Sequence, residues 1–299
     1  MGKNKYLFVA GMLFAILAVS MGLTTLYAGF SGQKPQEKEI TVVTSFYPVY
    51  IAAMNVIGDA ENVRLENLSE PQTGCLHDFQ LTPEDMKLLS TADVFIVNGG
   101  GIETFMKDVA SAYPKLVIVE ACEFVELLSD GDETNAHAWL GVSGYRDMVQ
   151  GIAEGLASAD SMHEPLYRKN AAEYDDKLEK LQEKQQDVIR KLSGKNVVLF
   201  HEAFDYIAQD YGMNVSCVLD LDEERPVSAG EVSGVLSAVR DENANLILAE
   251  ELYGKGVAEA VQKEADVTVV YLNPLNRGEY EKDSYLKGME QNIKLLQEI

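Results

Sequence analysis

Basic residues are scarce in this sequence of 299 residues, where 25 Lys and Arg stand against 48 Asp and Glu for a net charge of −23. This argues against a nucleic-acid-binding role, because such proteins neutralise backbone phosphates with Lys and Arg. A strongly acidic chain instead raises the local concentration of cations around itself. The same charge is also typical of a soluble extracellular protein that charge repulsion keeps monomeric.

The sequence also lacks the motifs of common hydrolases and nucleotide-binding proteins. It has no HExxH and no GxSxG, and the glycines at 99–101 lack the rest of any phosphate-binding fingerprint. One enzyme class stays open. A zinc hydrolase with three histidines and a bound water could use Glu202 or Glu250 as its general base.

Charged residues are absent from residues 6–33, and Lys3, Lys5 and Lys34 flank that stretch. It is an export signal or a membrane anchor. The apolar run exceeds the roughly 7–15 residues of a signal-peptide core and is long enough for one span, so we expect an uncleaved N-terminal anchor. Cleavage after Ala28 is the alternative. The leader contains no cysteine, which excludes a lipid anchor on a new N-terminal Cys.

Cysteine is rare, since Cys75, Cys122 and Cys217 are the only three. An odd number in a chain that leaves the cytosol indicates one disulfide and one free buried thiol. Cys75 and Cys122 each lie just past a strand-like run in the first half, so we expect these two to pair. Because Cys75 stands two residues before His77, a thiolate metal ligand is the alternative.

Glycine is absent from residues 164–192, and Pro165 near the start is the only proline there. Amid Lys, Glu and Gln, apolar side chains form one helical stripe at Tyr174, Leu178, Leu181, Val188 and Leu192. At 1.5 Å per residue this helix would be about 40 Å long, enough to cross a small protein. We expect it to join two lobes as a stiff connection. An ordinary surface helix is the alternative.

Short β-branched runs alternate with helical patterns on both sides of this helix. We expect strands at 40–44, 63–68, 94–97, 116–119, 196–200, 214–219, 246–249 and 267–272. Helices are expected at 47–57, from Thr82–Pro83 towards Ser90, at 201–211, near 231–240, around 256–265 and after Asp283. Strands separated by helices are typical of parallel sheets in an α/β fold.

The predicted organisation therefore has four parts. Residues 1–33 are a signal peptide or an N-terminal membrane anchor, and residues 34–162 form an N-terminal α/β lobe. Residues 163–193 are the joining helix, and residues 194–299 form a C-terminal α/β lobe of similar build. We expect a ligand site in the cleft between the two lobes.

Three of the four histidines stand where a strand-like run gives way to a loop or helix, namely His77, His137 and His201. Imidazole is the commonest side-chain metal ligand and suits zinc, manganese, iron and copper. Ligands in open α/β sheets bind beyond the carboxyl ends of strands. Because these histidines are spread over both halves of the chain, they indicate a metal held between the lobes. For His163, at the entry to the long helix, we expect a surface or capping role.

Four segments resemble the substrate-binding proteins of zinc and manganese ABC importers, whose two α/β lobes are joined by one long helix. These segments are GCLHDF followed by LTP at 74–83, AHAWL at 136–140, FHEAF at 200–204 and DSYL at 283–286. The resemblance covers nearly the whole chain from about Glu39 onward. It implies that His77, His137 and His201 are three metal ligands and that Asp283, at the start of the final helix, is the fourth.

Three imidazoles and one carboxylate make a closed, tetrahedral-type site suited to Zn2+. Manganese-type members tend to carry a carboxylate at the third position, so the histidine there favours zinc, with Mn2+ as the alternative. Asp is also common as a mere helix cap, so Glu279, Glu281 and Glu250 are alternatives for the carboxylate. Glu202 and Asp78 are expected to be solvated or to orient imidazoles by accepting their N–H.

The resemblance further implies a carrier and not an enzyme. Metal would be captured outside the cytoplasm with a modest closing of the lobes, then delivered to an ABC permease whose partner ATPase drives import. We expect a monomer tethered to the outer face of the cell membrane, or a secreted or periplasmic protein if the leader is cleaved. Two features depart from the family: the stretch 123–135 has acids but no histidine, and the lipidation cysteine is missing. The sequence does not distinguish metal capture from a surface adhesion role.

Overall fold

The computed structural model describes residues 3–31, 39–69, 79–130, 133–221 and 225–299. The chain divides into two compact units, and the first, Met1–Glu39, contains the helix α1 (Lys3–Ser31). The 18 residues Phe8–Thr25 of α1 have a mean hydropathy of 2.0 and are long and apolar enough to cross a membrane. The hydroxyls of Thr24 and Thr25 donate to carbonyls of the preceding turn, which satisfies these polar groups within the helix.

The second unit, Ile40–Ile299, contains two parallel four-stranded sheets. The elements of its first half are β1 (Ile40–Thr44), α2 (Tyr47–Ile57), β2 (Val63–Asn67), α3 (Pro83–Leu89), β3 (Val94–Val97), α4 (Met106–Ala112), β4 (Val117–Glu120), the antiparallel hairpin β5 (Ser129–Asp130) and β6 (Glu133–Thr134), and α5 (Val142–Ala159). The long helix α6 (Glu164–Leu192) follows. The second half comprises β7 (Asn196–Leu199), α7 (Asp205–Asp210), β8 (Asn214–Val218), α8 (Ala229–Asp241), β9 (Leu246–Ala249), α9 (Glu251–Glu264), β10 (Thr268–Tyr271) and α10 (Ser284–Gln297).

Both sheets have the same strand order. It is β2-β1-β3-β4 in the first sheet and β8-β7-β9-β10 in the second, and all pairs within them are parallel. The first strand of each sheet lies between the second and the third, so the connections leave in opposite directions at β1/β3 and at β7/β9. Such a switch point opens a crevice beyond the carboxyl ends of the strands. The predicted α/β fold with two sheets and a long joining helix is confirmed.

One hydrophobic core runs between the two sheets. Val42 of β1 and Val197 of β7 belong to the same buried cluster, and side chains of α2, α5, α6 and α10 fill the space between them. The neighbouring residues Val43 and Val198 face outward into two separate clusters under α3–α4 and α8–α9. This alternation is typical of strands covered on both faces. The predicted stripe of α6 is buried in the shared core, so the long helix is part of that core as well as a connection.

The helix α5 is an element that the sequence patterns did not predict. It contains Gly144, Gly151 and Gly155, and glycine weakens a helical pattern. A Cβ atom on Gly144 would lie 2.6 Å from the carbonyl oxygen of Ala138, and one on Gly151 would lie 2.6 Å from that of Ala121. Gly144 therefore allows α5 to approach the turn that follows His137, and Gly151 allows it to approach the turn that follows β4.

The helix expected at 201–211 is a 3-10 turn at Glu202–Phe204 followed by α7. The carboxylate of Asp210, the last residue of α7, accepts the N–H of Val142 at 2.8 Å and so caps the start of α5. A side chain from the second half of the chain thereby fixes a helix of the first half.

The expected disulfide is wrong, because Cys122 is a free thiol. Cys75 lies outside the described residues. Burial, with the carboxylates of Glu103 and Glu120 nearby, raises the pKa of Cys122 to about 12. Cys122 is therefore a protonated, unreactive core residue at neutral pH.

A hydrogen-bonded cluster joins α5 to α6. The carboxylate of Asp160 is 6% exposed and lies 2.6 Å from Nδ1 of His163 and 2.7 Å from the hydroxyl of Tyr167. Burial alone would raise the pKa of Asp160, but the hydrogen bonds from Tyr167 and His163 outweigh it and lower that pKa. His163 occupies the N-cap position of α6, but its side chain makes no capping hydrogen bond and contacts Asp160 instead.

We expect Asp160→Asn to lower the free energy of unfolding by about 1–3 kcal/mol at pH 7, because it removes charge-assisted hydrogen bonds from a buried site. A depressed carboxyl pKa stabilises the fold above the unfolded pKa of about 3.9, and that stabilisation is lost as the pH falls through the folded value. Urea titrations of the full-length protein in detergent should therefore show the two proteins converging below about pH 4. The exposed Asp176→Asn is the matched control, and a difference that does not shrink in acid would contradict the assignment.

We expect Gly151→Ala to destabilise the protein by about 1–3 kcal/mol, because its Cβ would meet the backbone of Ala121. The same change at Gly256 in α9, where nothing lies within 4 Å of an added Cβ, should stabilise by roughly 0.5–1 kcal/mol. Thermal unfolding of both variants measures the difference. Equal midpoints would show that α5 does not make this close approach.

Candidate metal site

His137 and His201 meet between the two sheets. His137 precedes the 3-10 turn Ala138–Leu140, and His201 follows β7. The centroids of the two imidazole rings are 5.1 Å apart and their planes are inclined at 78°. Both residues are buried, with exposed fractions of 0% and 1%. Two of the predicted ligands, one from each half of the chain, therefore come together.

His77, the other predicted histidine ligand, lies outside the described residues, and so does Asp78 beside it. In the part of the chain that the structure describes, no group of three or more His, Cys, Asp or Glu side chains is arranged to hold a metal ion. The geometry accordingly describes two ligands of the predicted set.

The switch point of the second sheet places a carboxylate beside His201. His201 extends from β7 and Glu250 directly follows β9, its neighbour in the sheet. Glu250 is 5% exposed, and its Oε2 lies 3.9 Å from Nδ1 of His201. Its other oxygen accepts a hydrogen bond from Nη2 of Arg277 at 2.8 Å, which balances the buried negative charge. The position of Glu250 after a buried strand is the sequence signal for this residue.

Two polar side chains face Nδ1 of His137. Oδ1 of Asn135 lies 2.9 Å from it, and Oε1 of Glu202 lies 3.4 Å from it. Glu202 follows His201 in the second half of the chain. Its carboxylate nevertheless faces His137, which belongs to the first half. The role of Asn135 was not predicted from the sequence.

Residues that follow strand β3 of the first sheet hold the His137 loop by hydrogen bonds. Nδ2 of Asn98, which follows β3, donates to the carbonyl of Ala136 at 2.9 Å. The backbone N–H groups of Asn98 and Gly99 donate to the carboxylate of Glu103 at 2.7 and 3.1 Å. Burial raises the pKa of Glu103 even though these hydrogen bonds lower it. The network fixes the loop relative to the switch point at β1/β3.

The structure places Asp283 elsewhere. Its side chain is 56% exposed, and Oδ1 lies 3.8 Å from Nζ of Lys177 on α6. The carbonyl of the preceding Lys282 accepts a hydrogen bond from Asn55 on α2, so the start of α10 is tied to α2 and lies beside the middle of α6. Asp283 is the N-cap residue of α10, a position that a sequence pattern does not separate from a ligand position.

The alternatives Glu279 and Glu281 are also exposed. Within the described ranges, the carboxylates that face the two histidines are therefore those of Glu202 and Glu250.

A cavity of about 790 Å³ borders the site. Its lining includes residues of the hairpin, of the His137 loop and of the second sheet, among them Gly101, Ser129, Asn135, Glu202, Asp205 and Val218. The carboxylate of Glu202 is 37% exposed, so a polar side chain that faces His137 also lines this cavity.

Trp139 fills the space behind the histidines. It is fully buried, its ring centroid is 5.0 Å from that of His137, and its Nε1 donates to the carbonyl of Pro274 at 2.9 Å. This contact joins the His137 loop to the segment before α10. Trp139 therefore packs between the two halves of the fold.

Comparison with known proteins gives a family match. Residues 42–299 match the family model described as ZnuA, zinc-uptake complex component A periplasmic. The zinc-binding lipoprotein AdcA of Streptococcus pneumoniae (strain ATCC BAA-255 / R6) is 27% identical over 307 residues, covering 94% of this chain and 60% of AdcA. The high-affinity zinc uptake system protein ZnuA of Bacillus subtilis (strain 168) is 25% identical over 317 residues, covering 99% of this chain and 97% of that protein.

Comparison with solved structures finds relatives from the same group of proteins. The crystal structure of the Zn(II)-bound ZnuA-like domain of Streptococcus pneumoniae AdcA has a TM-score of 0.74 and 27% identity, covering 87% of this chain and 98% of that one. The chain thus spans about 60% of the length of the AdcA relative and nearly all of its ZnuA-like domain. Since the family model extends over residues 42–299, the protein belongs to the ZnuA family of zinc-uptake components, which are solute-binding proteins and not enzymes.

Proposed function

We propose that the protein captures a metal ion, zinc in the first place, outside the cytoplasm and delivers it to an ABC permease driven by its partner ATPase. The observation that carries this proposal is the buried pair His137 and His201, whose ring centroids are 5.1 Å apart and which come from opposite halves of the fold. Two imidazoles at the edges of facing parallel sheets can hold an ion that enters through the adjacent cavity.

The proposed ligands are His77, His137 and His201. On His137 and His201, the Nδ1 atoms face Asn135, Glu202 and Glu250, and we assign coordination of the metal to the Nε2 atoms. Carboxylates behind ligating histidines orient the rings and raise their basicity. Asp283 is not part of the proposed set, because it is exposed beside Lys177.

Imidazole ligands favour Zn2+ over the harder Mn2+ ion, which keeps manganese as the alternative cargo. The continuous core between the sheets supports a rigid carrier, in which binding changes side chains and loops at the cleft more than the angle between the lobes. A hydrolase would need an open coordination position. Since Asp283 does not close the site, membership of the family is what favours a carrier over that rival.

Helix α1 supports a tether on the outer face of the cell membrane. Its 18-residue apolar stretch follows Lys3 and Lys5, a charge arrangement that keeps the N-terminus on the cytoplasmic side. The domain that follows would then act at the membrane surface, as a monomer, next to the permease.

His201→Ala should lower zinc affinity by more than the roughly 10–100-fold that loss of an outer-shell partner costs, because it removes a ligand. His163→Ala is the matched control, since His163 lies at the start of α6. Bound metal is measured by mass spectrometry on the full-length protein in detergent, with zinc and manganese in competition. If the His201→Ala protein still bound one zinc ion tightly per chain, the proposed site would be wrong. Zinc-dependent ester hydrolysis by the wild type would favour the hydrolase.

A second pair of variants tests the carboxylates. Glu250→Gln should weaken zinc binding about 10–100-fold, because it removes the charge behind His201. Asp283→Asn should leave zinc affinity unchanged, because Asp283 faces Lys177. Isothermal titration of both proteins gives the comparison, and the reverse order of effects would restore Asp283 as a ligand.

A further inference from the structure

Asn135 is a buried polar residue between the hairpin and His137. It is 7% exposed and makes hydrogen bonds through both ends of its side-chain amide and through its carbonyl. The partners lie in both halves of the fold. A buried amide with this many partners has one orientation, because every alternative leaves polar groups unsatisfied.

The neighbours of Asn135 determine which way its amide points. The backbone N–H of His137 donates to Oδ1 at 3.1 Å, and Nδ2 donates to the carbonyl of Glu202 at 2.9 Å. A backbone N–H only donates and a carbonyl only accepts, so these two contacts assign the oxygen and the nitrogen of the amide.

This orientation in turn determines the tautomer of His137. The same Oδ1 lies 2.9 Å from Nδ1 of His137. Because an amide oxygen only accepts, Nδ1 must carry the proton. In the neutral imidazole the lone pair then lies on Nε2, the atom that coordinates a metal when a histidine is oriented through Nδ1–H.

The other end of the amide reaches across to the second half of the chain. Nδ2 holds the carbonyl of Glu202, the residue after His201, and the hydroxyl of Tyr206 donates to the carbonyl of Asn135 at 2.6 Å. The loop that carries His137 is thus fastened to the turn that carries His201. One side chain connects the orientation of one imidazole to the position of the other.

We propose that Asn135 is a positioning residue that holds His137 in its Nδ1–H tautomer and, through Glu202, sets the spacing between the imidazoles of the two halves. This deepens the proposed function and rests on it for the identity of the ligand, a divalent metal cation. Asn135 does not touch the cation. It fixes two of its ligands before the cation arrives, which reduces the ordering cost of binding.

Positioning both imidazoles requires an amide at residue 135, whereas orienting the His137 ring alone requires only a hydrogen-bond acceptor there. A carboxylate at position 135 would still accept the Nδ1 proton of His137, but it could not donate to the carbonyl of Glu202. Leucine has a similar shape and provides neither contact. Asn135→Asp and Asn135→Leu therefore separate the two parts of the proposal.

The tautomer is measured first, without metal. The full-length protein with 15N-labelled histidine, in detergent, contains only four histidines to resolve, and long-range proton–nitrogen correlations report which ring nitrogen is protonated. We expect Nδ1–H for His137 in the wild type and in Asn135→Asp, and a mixture of tautomers in Asn135→Leu. A single Nδ1–H tautomer in Asn135→Leu would overturn the assignment to Asn135 and give the role to Glu202, whose Oε1 lies 3.4 Å from the same nitrogen.

Zinc binding is measured next on the same proteins by titration and by the rate of release to a chelator. Asn135→Leu should lose about 10–100-fold in affinity. Asn135→Asp should lose roughly fivefold through faster release, about the effect of one neutral hydrogen bond. If the Asn135→Asp protein released zinc at the wild-type rate, the hydrogen bond from Asn135 to the carbonyl of Glu202 would not set the spacing of the imidazoles, and that part of the proposal would be overturned.

Tyr206→Phe serves as the control for general loosening of the loop, because it removes the hydroxyl bonds to Asn135 and Leu128 but leaves the Asn135 side chain in place. It should keep the His137 tautomer and most of the affinity, and a loss equal to that of Asn135→Leu would overturn the proposal. A wild type that shows the expected tautomer but binds no zinc would refute the proposed function and still support the positioning of His137.

Discussion

The packing of two sheets onto one shared layer of helices is the constraint on which the rest of this structure depends. Val42 in the first sheet and Val197 in the second are buried in the same cluster, with α2, α5, α6 and α10 between them. Close-packed interiors do not deform continuously. The distance between the two switch points is therefore set by the core, and the loops beyond them meet without a hinge movement. His137 and His201 come together because of this arrangement.

The polar groups of the site follow from the same burial. An imidazole or carboxylate removed from water must find hydrogen-bond partners or an opposite charge. Asn135 supplies a partner to His137, and Arg277 supplies the charge opposite Glu250. Glu202, whose side chain is 37% exposed, places a carboxylate in the wall of the neighbouring cavity. The arrangement combines fixed imidazoles with a nearby carboxylate at a cavity, which is consistent with the proposed capture of a cation.

Much of the fold could be predicted because each local pattern agreed with the final structure. Most strands of both sheets are short apolar runs, and α6 is a long stretch without glycine. The helix α5 could not be predicted, because Gly144 and Gly151 weaken its pattern and serve a close backbone approach that exists only in the folded protein. The Cys75–Cys122 pairing was wrong for a related reason, since spacing along the chain says nothing about which way a thiol faces.

Part of the candidate site could likewise be predicted from the sequence, and part of it could not. By itself, the sequence determined that the chain is acidic, that it has an apolar N-terminal stretch, that two α/β halves flank a long helix, and that histidines stand at strand ends. Only the tertiary structure decided which side chains meet. It brought Glu202 and Asn135 to His137 and Glu250 to His201, and it turned Asp283 towards Lys177. The reason is that residue type and local period are properties of a segment, whereas a site between two sheets depends on how distant segments pack.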